Sequence, residues 1–152
     1  MKEKVKITIL KSLTVVSPFS KGRCKQYDLQ LNYKNQSYNF TFWDSVHAFE
    51  NKQFLNTNDA LYSLLMDASC YNQSSSEEDF LNEFGYNNED IYTYYKQGLS
   101  RYQMEDCFSK DSINKLKDGL KAYAGCRKTA LALSEMFTEE ELDQLNEEFQ
   151  DY

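Results

Sequence analysis

The first third of the chain alternates apolar and polar residues with a period of two. In residues 4–10, β-branched residues alternate with lysine or threonine, and in residues 27–33 tyrosine and leucine alternate with aspartate, glutamine and asparagine. The alternation returns in residues 38–42, where the apolar positions are aromatic. This period is typical of a strand with one solvated face and one buried face. The pattern therefore predicts three strands, with a Pro-, Ser- and Gly-containing loop at 18–22.

The second and third predicted strands are close enough in the chain to form a hairpin. A two-residue turn at 35–36 would place every apolar residue of both strands on one face of the sheet. The opposed pairs would then be Tyr33 with Tyr38, Leu31 with Phe40 and Leu29 with Phe42. A turn of three to five residues is the alternative, because Gln36 occupies a position where glycine would ease the positive φ of a type I′ turn.

From about Asp44 onward, apolar residues follow helical spacing, and residues that cap helices precede them. Ser76 with Asp79 and Thr138 with Glu141 match the capping-box pattern, which marks the start of a helix. Five helices are predicted: one that begins at Asn58 or Asp59, one from Ser76 to Gly85, one from about Asn88 to Phe108, a long one from near Asp111, and a last one that begins at Thr138. Gly119 and Gly125 weaken the long helix and could bend it.

The predicted strands precede the predicted helices, which is the α+β order and not the alternating order of βαβ units. A chain of 152 residues fits one domain. We therefore expect a single α+β domain over 1–152. It would have an N-terminal antiparallel sheet of about three strands, including a β-hairpin, in 1–44 and a four- or five-helix C-terminal part in 45–152.

The apolar runs of the chain are short. None reaches the roughly 18 residues that a membrane-spanning helix needs. The N-terminal basic residues alternate with β-branched ones and do not precede the continuous apolar block of a signal peptide. We therefore expect no membrane association and a location in the cytoplasm of the producing cell or of an infected host.

The sequence offers little of the chemistry that catalysis or metal binding requires. There is no Gly-rich phosphate loop, no G-x-S-x-G and no H-E-x-x-H, and the four cysteines are widely spaced with only His47 as an imidazole partner. Cys24 and His47 would form a thiol–base pair only if the fold brought them together. In a reducing compartment, free and mostly buried thiols are favoured over two disulfides. We expect no catalytic residues, no metal and no cofactor.

Charge is distributed unevenly along the chain, whose formal net charge is −7. Residues 1–34 hold eight lysines or arginines against two acids, whereas the last fifteen residues hold seven acids and no base. The seven acids are Glu139, Glu140, Glu141, Asp143, Glu147, Glu148 and Asp151. Acids near a helix start favour the helix dipole and keep a surface solvated. The alternative is that they form, with neighbouring aromatic residues, a docking site for a basic partner surface.

The basic N-terminal region suggests the opposite kind of partner. Its candidate phosphate contacts are Lys2, Lys4, Lys6, Lys11, Lys21, Arg23 and Lys25. However, the net charge of the chain repels nucleic acid, and alternating lysines on an edge strand also discourage aggregation. Direct nucleic-acid binding is therefore not expected, and a DNA-associated regulator is kept as an alternative function.

Four segments of the chain carry a resemblance to a known group of proteins. They are residues 27–33 (YDLQLNY), 38–43 (YNFTFW), 59–69 (DALYSLLMDAS) and 147–152 (EEFQDY). In this order they resemble small acidic proteins encoded by bacterial prophages and mobile elements. The stretch 92–124 departs from that pattern.

The resemblance implies a non-catalytic module that binds a host protein, as anti-CRISPR inhibitors do. An effector channel that grips a phosphate backbone is positive and would attract an acidic surface. The expected partner is thus a host protein with a basic surface, such as a CRISPR effector. A small enzyme or ligand-binding protein, with a pocket between the hairpin and the helices, is the other alternative. The oligomeric state stays open, because the first strand could pair across a dimer.

Overall fold

The computed structural model of the chain describes residues 5–18, 21–53 and 55–149. Within them, the strands β1 (Lys6–Val16), β2 (Arg23–Tyr33) and β3 (Gln36–Trp43) form one antiparallel sheet in the order β1-β2-β3. The helices that follow are α1 (Val46–Glu50), α2 (Thr57–Asn72), α3 (Glu77–Glu83), α4 (Ile91–Lys96), α5 (Arg101–Glu105), α6 (Lys110–Met136) and α7 (Glu139–Glu147). The predicted α+β class is confirmed.

The hairpin turn lies at Lys34 and Asn35, one residue earlier than predicted. Both residues have positive φ, 48° and 63°, as a type I′ turn requires. The predicted register is therefore wrong by two positions. The observed pairs are Tyr33 with Gln36, Leu31 with Tyr38, Leu29 with Phe40 and Tyr27 with Phe42. The turn moves because asparagine tolerates the left-handed conformation better than glutamine, and a shift of two leaves every side chain on its predicted face.

The first strand is longer than predicted and continues to Val16. Its pairing with β2 shifts between Ile9 and Lys11, which leaves Leu10 as an extra residue in a β-bulge. The bulge reverses which side chains face each side of the sheet. The strict alternation of apolar and polar residues therefore stops at Leu10, whereas the strand continues to Val16. The predicted first residue, Lys4, lies outside the described residues.

The described chain divides into two compact units. Residues 5–65 and 132–149 form one, which we call the sheet unit, and residues 66–131 form the other, which we call the helical unit. The boundaries fall within α2 and α6. The prediction of a single domain stays a prediction.

The sheet unit is built on the predicted dry face of β2. Its core cluster consists of Tyr27, Leu29 and Ala60, so α2 covers this face. Leu29 and Ala60 have no exposed surface. By contrast, β1 is largely exposed, and Ile9, Leu10, Leu13 and Val16 are its exposed large apolar residues.

The helical unit has a separate core made by α3, α4, α5 and α6. The buried residues are Phe80, Leu81, Ile91, Tyr92, Met104, Ile113 and Leu116. The single helix predicted over 88–108 is wrong, because Gly98 has a φ of +80° and Ser100 begins α5 with a capping box. In contrast, α6 is continuous through Gly119 and Gly125. A Cβ at Gly119 would lie 2.5 Å from the Leu81 side chain, so this glycine permits close packing.

Candidate functional site

The last helix, α7, begins at the capping box that the sequence predicts. The Thr138 hydroxyl accepts a hydrogen bond from the Glu141 backbone N–H (3.1 Å), and the Thr138 backbone N–H donates to the Glu141 carboxylate (3.0 Å). These two bonds satisfy amide groups that would otherwise lack partners at the start of the helix. The first turn of α7 is therefore fixed locally.

The same carboxylate also joins α7 to the β-hairpin. The Tyr33 hydroxyl donates a hydrogen bond to Glu141, and the Lys34 ammonium lies 3.1 Å from it. The Tyr33 ring stacks on Phe137, with centroids 4.5 Å apart. The hydrogen bond from Tyr33, followed by those from Thr138 and Lys34, lowers the pKa of Glu141 to about 2. Glu141 is thus ionised throughout the physiological range and acts as an internal anchor.

The remaining predicted carboxylates of α7 have a different environment. Glu139, Glu140, Asp143, Glu147 and Glu148 are all exposed, and Asp151 lies outside the described residues. Of the predicted docking residues that the structure describes, only Glu141 is engaged internally by hydrogen bonds from other elements. The capping-box pattern singled out Glu141 as the partner of Thr138, but no local pattern could reveal its hydrogen bond with Tyr33, which is 108 positions away.

Four of the exposed carboxylates share one side of α7. With 3.6 residues per turn, Glu139, Glu140, Asp143 and Glu147 fall within an arc of about 100°. We call these four residues the acidic face. Leu142 and the buried Leu145 lie on the opposite side of the helix. The ion pairs among the described residues are Lys34–Glu141 and Arg101–Glu105. No described lysine, arginine or histidine therefore lies within ion-pair distance of the acidic face.

The predicted basic residues lie mainly on the sheet. Lys6, Lys11, Lys21 and Arg23 are exposed and Lys25 is half-buried, whereas Lys2 and Lys4 lie outside the described residues. Lys6 and Lys11 pair with Asn32 and Asp28 of β2, so both are on the polar face of the sheet. Polar side chains bridge the strands on this face, for example Asn32 to Thr8 (2.9 Å). This arrangement resembles a solvated sheet face more than a dense phosphate-binding patch.

A cleft that the sequence did not reveal lies between the end of β3 and the first turns of α2. Its volume is about 580 Å³. The residues that matter for its chemistry are Phe42, Trp43, Asp44, Asp59 and Tyr62. Burial raises the pKa of Asp44 and the negative charge of Asp59 adds to this effect, while a hydrogen bond from the Ser45 backbone N–H opposes it. The sequence analysis named a pocket between hairpin and helices only as part of an alternative function, without residues, and that alternative stays a prediction.

Cys24 and His47, the thiol and imidazole that a catalytic pair would require, lie in different environments. Cys24 is fully buried, whereas His47 is exposed and its ring nitrogens lie 3.2 and 3.3 Å from the Asn51 amide nitrogen. All four thiols are free, and Cys107 is the exposed one. Burial raises the pKa of Cys126 to about 12, which keeps this thiol protonated and unreactive at neutral pH.

The described ranges contain neither a metal-binding cluster nor a helix able to span a membrane. No group of three or more His, Cys, Asp or Glu side chains is arranged to hold a metal ion. No helix of these ranges combines the length and the apolar character that a bilayer span requires.

Comparison of the chain with protein-family models, with curated proteins and with solved structures found no match. The described residues thus form an α+β protein with an acidic helix face on α7 and a cleft beside Trp43.

Proposed function

We propose that this protein is a non-catalytic binding module whose acidic face docks on the basic surface of a nucleic-acid-binding protein. The observation that carries the proposal is the acidic face itself: four exposed carboxylates on one side of an anchored helix, with no ion-pair partner among the described residues. Unpaired like charges on one side of a helix repel one another. A basic partner surface would relieve that repulsion.

The anchoring of α7 supports a docking role. Glu141, Tyr33 and Phe137 fix the start of the helix before any partner arrives. A surface that is already ordered loses less conformational entropy on binding, which improves affinity for a given set of contacts. Exposed charges at such a surface act mainly on the association rate, because complementary potentials steer the encounter.

The nature of the partner follows from the charge that it must carry. A protein that binds DNA or RNA presents a positive surface to the phosphate backbone. The resemblance of four segments to small acidic proteins of prophages and mobile elements supports an inhibitor of this kind. We therefore propose an anti-CRISPR-like role, in which the acidic face occupies the nucleic-acid surface of an effector in the cytoplasm of the bacterial host.

Co-purification from bacterial lysate tests the proposal. The bait would be the full chain, and the acidic-face variant would carry Glu139→Gln, Glu140→Gln, Asp143→Asn and Glu147→Gln. A matched control would neutralise the same number of exposed acids in the helical unit, namely Glu83, Glu89, Asp106 and Asp118. Both variants change the net charge equally. Only the position of the change differs.

We expect the wild-type chain and the control to retain the same nucleic-acid-binding protein, and the acidic-face variant to lose it. Retention should also fall steeply as salt rises, because exposed charges are screened. Retention by the acidic-face variant that equals that of the wild type would contradict the proposal, and so would binding that does not respond to salt. Equal losses in both variants would show that net charge, and not the acidic face, is responsible.

A further inference from the structure

The cleft beside Trp43 is lined by both aromatic and acidic side chains. Phe42, Trp43 and Tyr62 supply aromatic surface, and Asp44 and Asp59 supply two carboxylates. No lysine, arginine or histidine is among the described residues that line it. The volume of about 580 Å³ is within the range of small-ligand sites and exceeds what a single hydrated ion needs.

The electrostatics of the cleft favour a cation. Asp44 and Asp59 are both half-buried. Two carboxylates in a partly desolvated place repel each other, and none of the described lining residues is a base that would compensate them. The faces of aromatic rings carry partial negative charge and attract cations as well. An anion or a neutral apolar group would gain nothing from these carboxylates.

The same lining selects an organic cation over a metal ion. Calcium prefers six to eight oxygen ligands and magnesium an octahedral set. The cleft has two carboxylates, and no metal-binding group of three or more acidic, histidine or cysteine side chains occurs in the described ranges. A guanidinium or ammonium group can hydrogen-bond to the carboxylates while its flat or alkyl part packs on the rings.

We infer that this cleft binds the guanidinium or ammonium group of an arginine or lysine side chain, supplied by the basic partner. The choice of a protein side chain as the source rests on the proposed function. It is supported by continuity with α7: the Tyr62 ring contacts the ring of Phe149, which follows that helix, with centroids 6.1 Å apart. Arginine is also among the residues that most often anchor protein interfaces.

The single tryptophan of the chain provides a direct readout, because Trp43 lines the cleft. Trp43 fluorescence of the full chain would be followed during titration with N-acetyl-arginine amide. N-acetyl-citrulline amide, which has a similar shape and no charge, is the control ligand. Calcium chloride at equal ionic strength is the second control. We expect a saturable response to the arginine probe and none to the two controls.

Three variants locate the binding site. Asp44→Asn and Asp59→Asn should each weaken binding of the arginine probe about tenfold or more, because each removes a charged hydrogen-bond acceptor. Asp118→Asn, at an exposed position of the helical unit, should leave it unchanged. Circular dichroism verifies the fold of each variant. The two cleft variants are independent, so either one suffices if the other does not fold.

The outcomes separate this inference from the proposed function. Equal responses to arginine and citrulline, or to arginine and calcium, overturn the cation site whatever the acidic face does. The wild-type chain could bind the arginine probe while Asp44→Asn retains the partner as well as the wild type does. That result would overturn the assignment to a partner side chain. Loss of both probe binding and retention in that variant supports the inference. Failure of the acidic-face experiment alone concerns the proposed function and leaves the titration result standing.

Discussion

The two units of the molecule both carry negative charge but arrange it differently. In residues 66–131, eleven acids and eight bases are interleaved along the helices. In the remaining residues the charges are segregated. Every base precedes residue 53, whereas seven of the thirteen acids fall in the last fifteen residues. Interleaved charges cancel within a short distance, whereas segregated charges produce a local field.

Each of the two units contains a hydrogen bond from a tyrosine hydroxyl to a glutamate, but the two bonds join different kinds of elements. In the helical unit the Tyr92 hydroxyl donates to Glu77 (2.9 Å), which joins α4 to α3, and burial together with this bond raises the pKa of Tyr92 to about 12. In the sheet unit Tyr33 donates to Glu141 and joins the hairpin to α7. The first pair links neighbours within a helical core. The second holds in place the helix that carries the acidic face.

The largest change in stability is expected from substitutions in the hydrophobic cores of the two units. Leu29 of the sheet unit and Leu81 of the helical unit both have no exposed surface. We expect Leu29→Ala and Leu81→Ala each to lower the free energy of unfolding by about 2–5 kcal/mol, because each removes buried methyl groups and leaves a cavity. Urea denaturation followed by circular dichroism measures this loss. A loss below 1 kcal/mol in either variant would contradict the assignment of that residue to a core.

A smaller effect is expected from the two glycines of α6. A Cβ at Gly119 would lie 2.5 Å from side-chain atoms of Leu81 and Tyr86, whereas one at Gly125 would meet nothing within 4 Å. Gly119→Ala should destabilise the protein by about 1–3 kcal/mol through overpacking. Gly125→Ala should stabilise it by about 0.5–1 kcal/mol, because alanine is the better helix former. Thermal melts of the two variants should therefore shift in opposite directions.

The anchor of the sheet unit predicts a dependence of stability on pH. The pKa of Glu141 is about 2 in the folded chain, against an ordinary value of 4.5. The folded state therefore favours the ionised form, and this contribution is complete above pH 4.5 and is lost as the pH falls toward 2. Glu141→Gln should make the melting temperature less sensitive to pH in this window. Tyr33→Phe, which removes the hydrogen bond that lowers the pKa of Glu141 most, should reduce this sensitivity as well.

The smallest effect on stability is expected from the acidic face. Its four carboxylates are exposed and have no ion-pair partner among the described residues. Neutralising one of them, for example with Glu140→Gln, should change the free energy of unfolding by no more than about 0.5 kcal/mol. Denaturation curves of the single variants measure this change. A destabilisation above 1 kcal/mol would show that the residue has a structural role, as Glu141 does, and would remove it from the docking surface.

Local patterns in the sequence were sufficient for much of the fold. The starts of α3 and α7 follow from Ser76 and Thr138, whose side chains accept hydrogen bonds three residues ahead. The shared face of β2 and β3 follows from a strict period of two. The hairpin register did not follow, because a shift of two residues preserves that face and only the conformational preference of Asn35 distinguishes the alternatives.

The candidate sites were predicted less completely. The sequence identified α7 as acidic and Glu141 as a capping residue, but it could not reveal that Glu141 also binds Tyr33. It treated Asp59 only as a possible helix cap. The cleft formed by Asp44, Asp59 and Trp43 has no local signature, because its residues come from a strand end, a junction and a helix. Their proximity depends on how α2 packs on the sheet.

The sequence by itself determined the order of strands before helices, the faces of the hairpin and the charge of the last helix. These properties depend on residues a few positions apart, where backbone geometry fixes which side chains are neighbours. Only the tertiary structure decided that Glu141 became an anchor while the five other described carboxylates of the last helix region were left to solvent. That choice depends on Tyr33, 108 positions from Glu141, and contacts of this kind are created by packing and not by any local pattern.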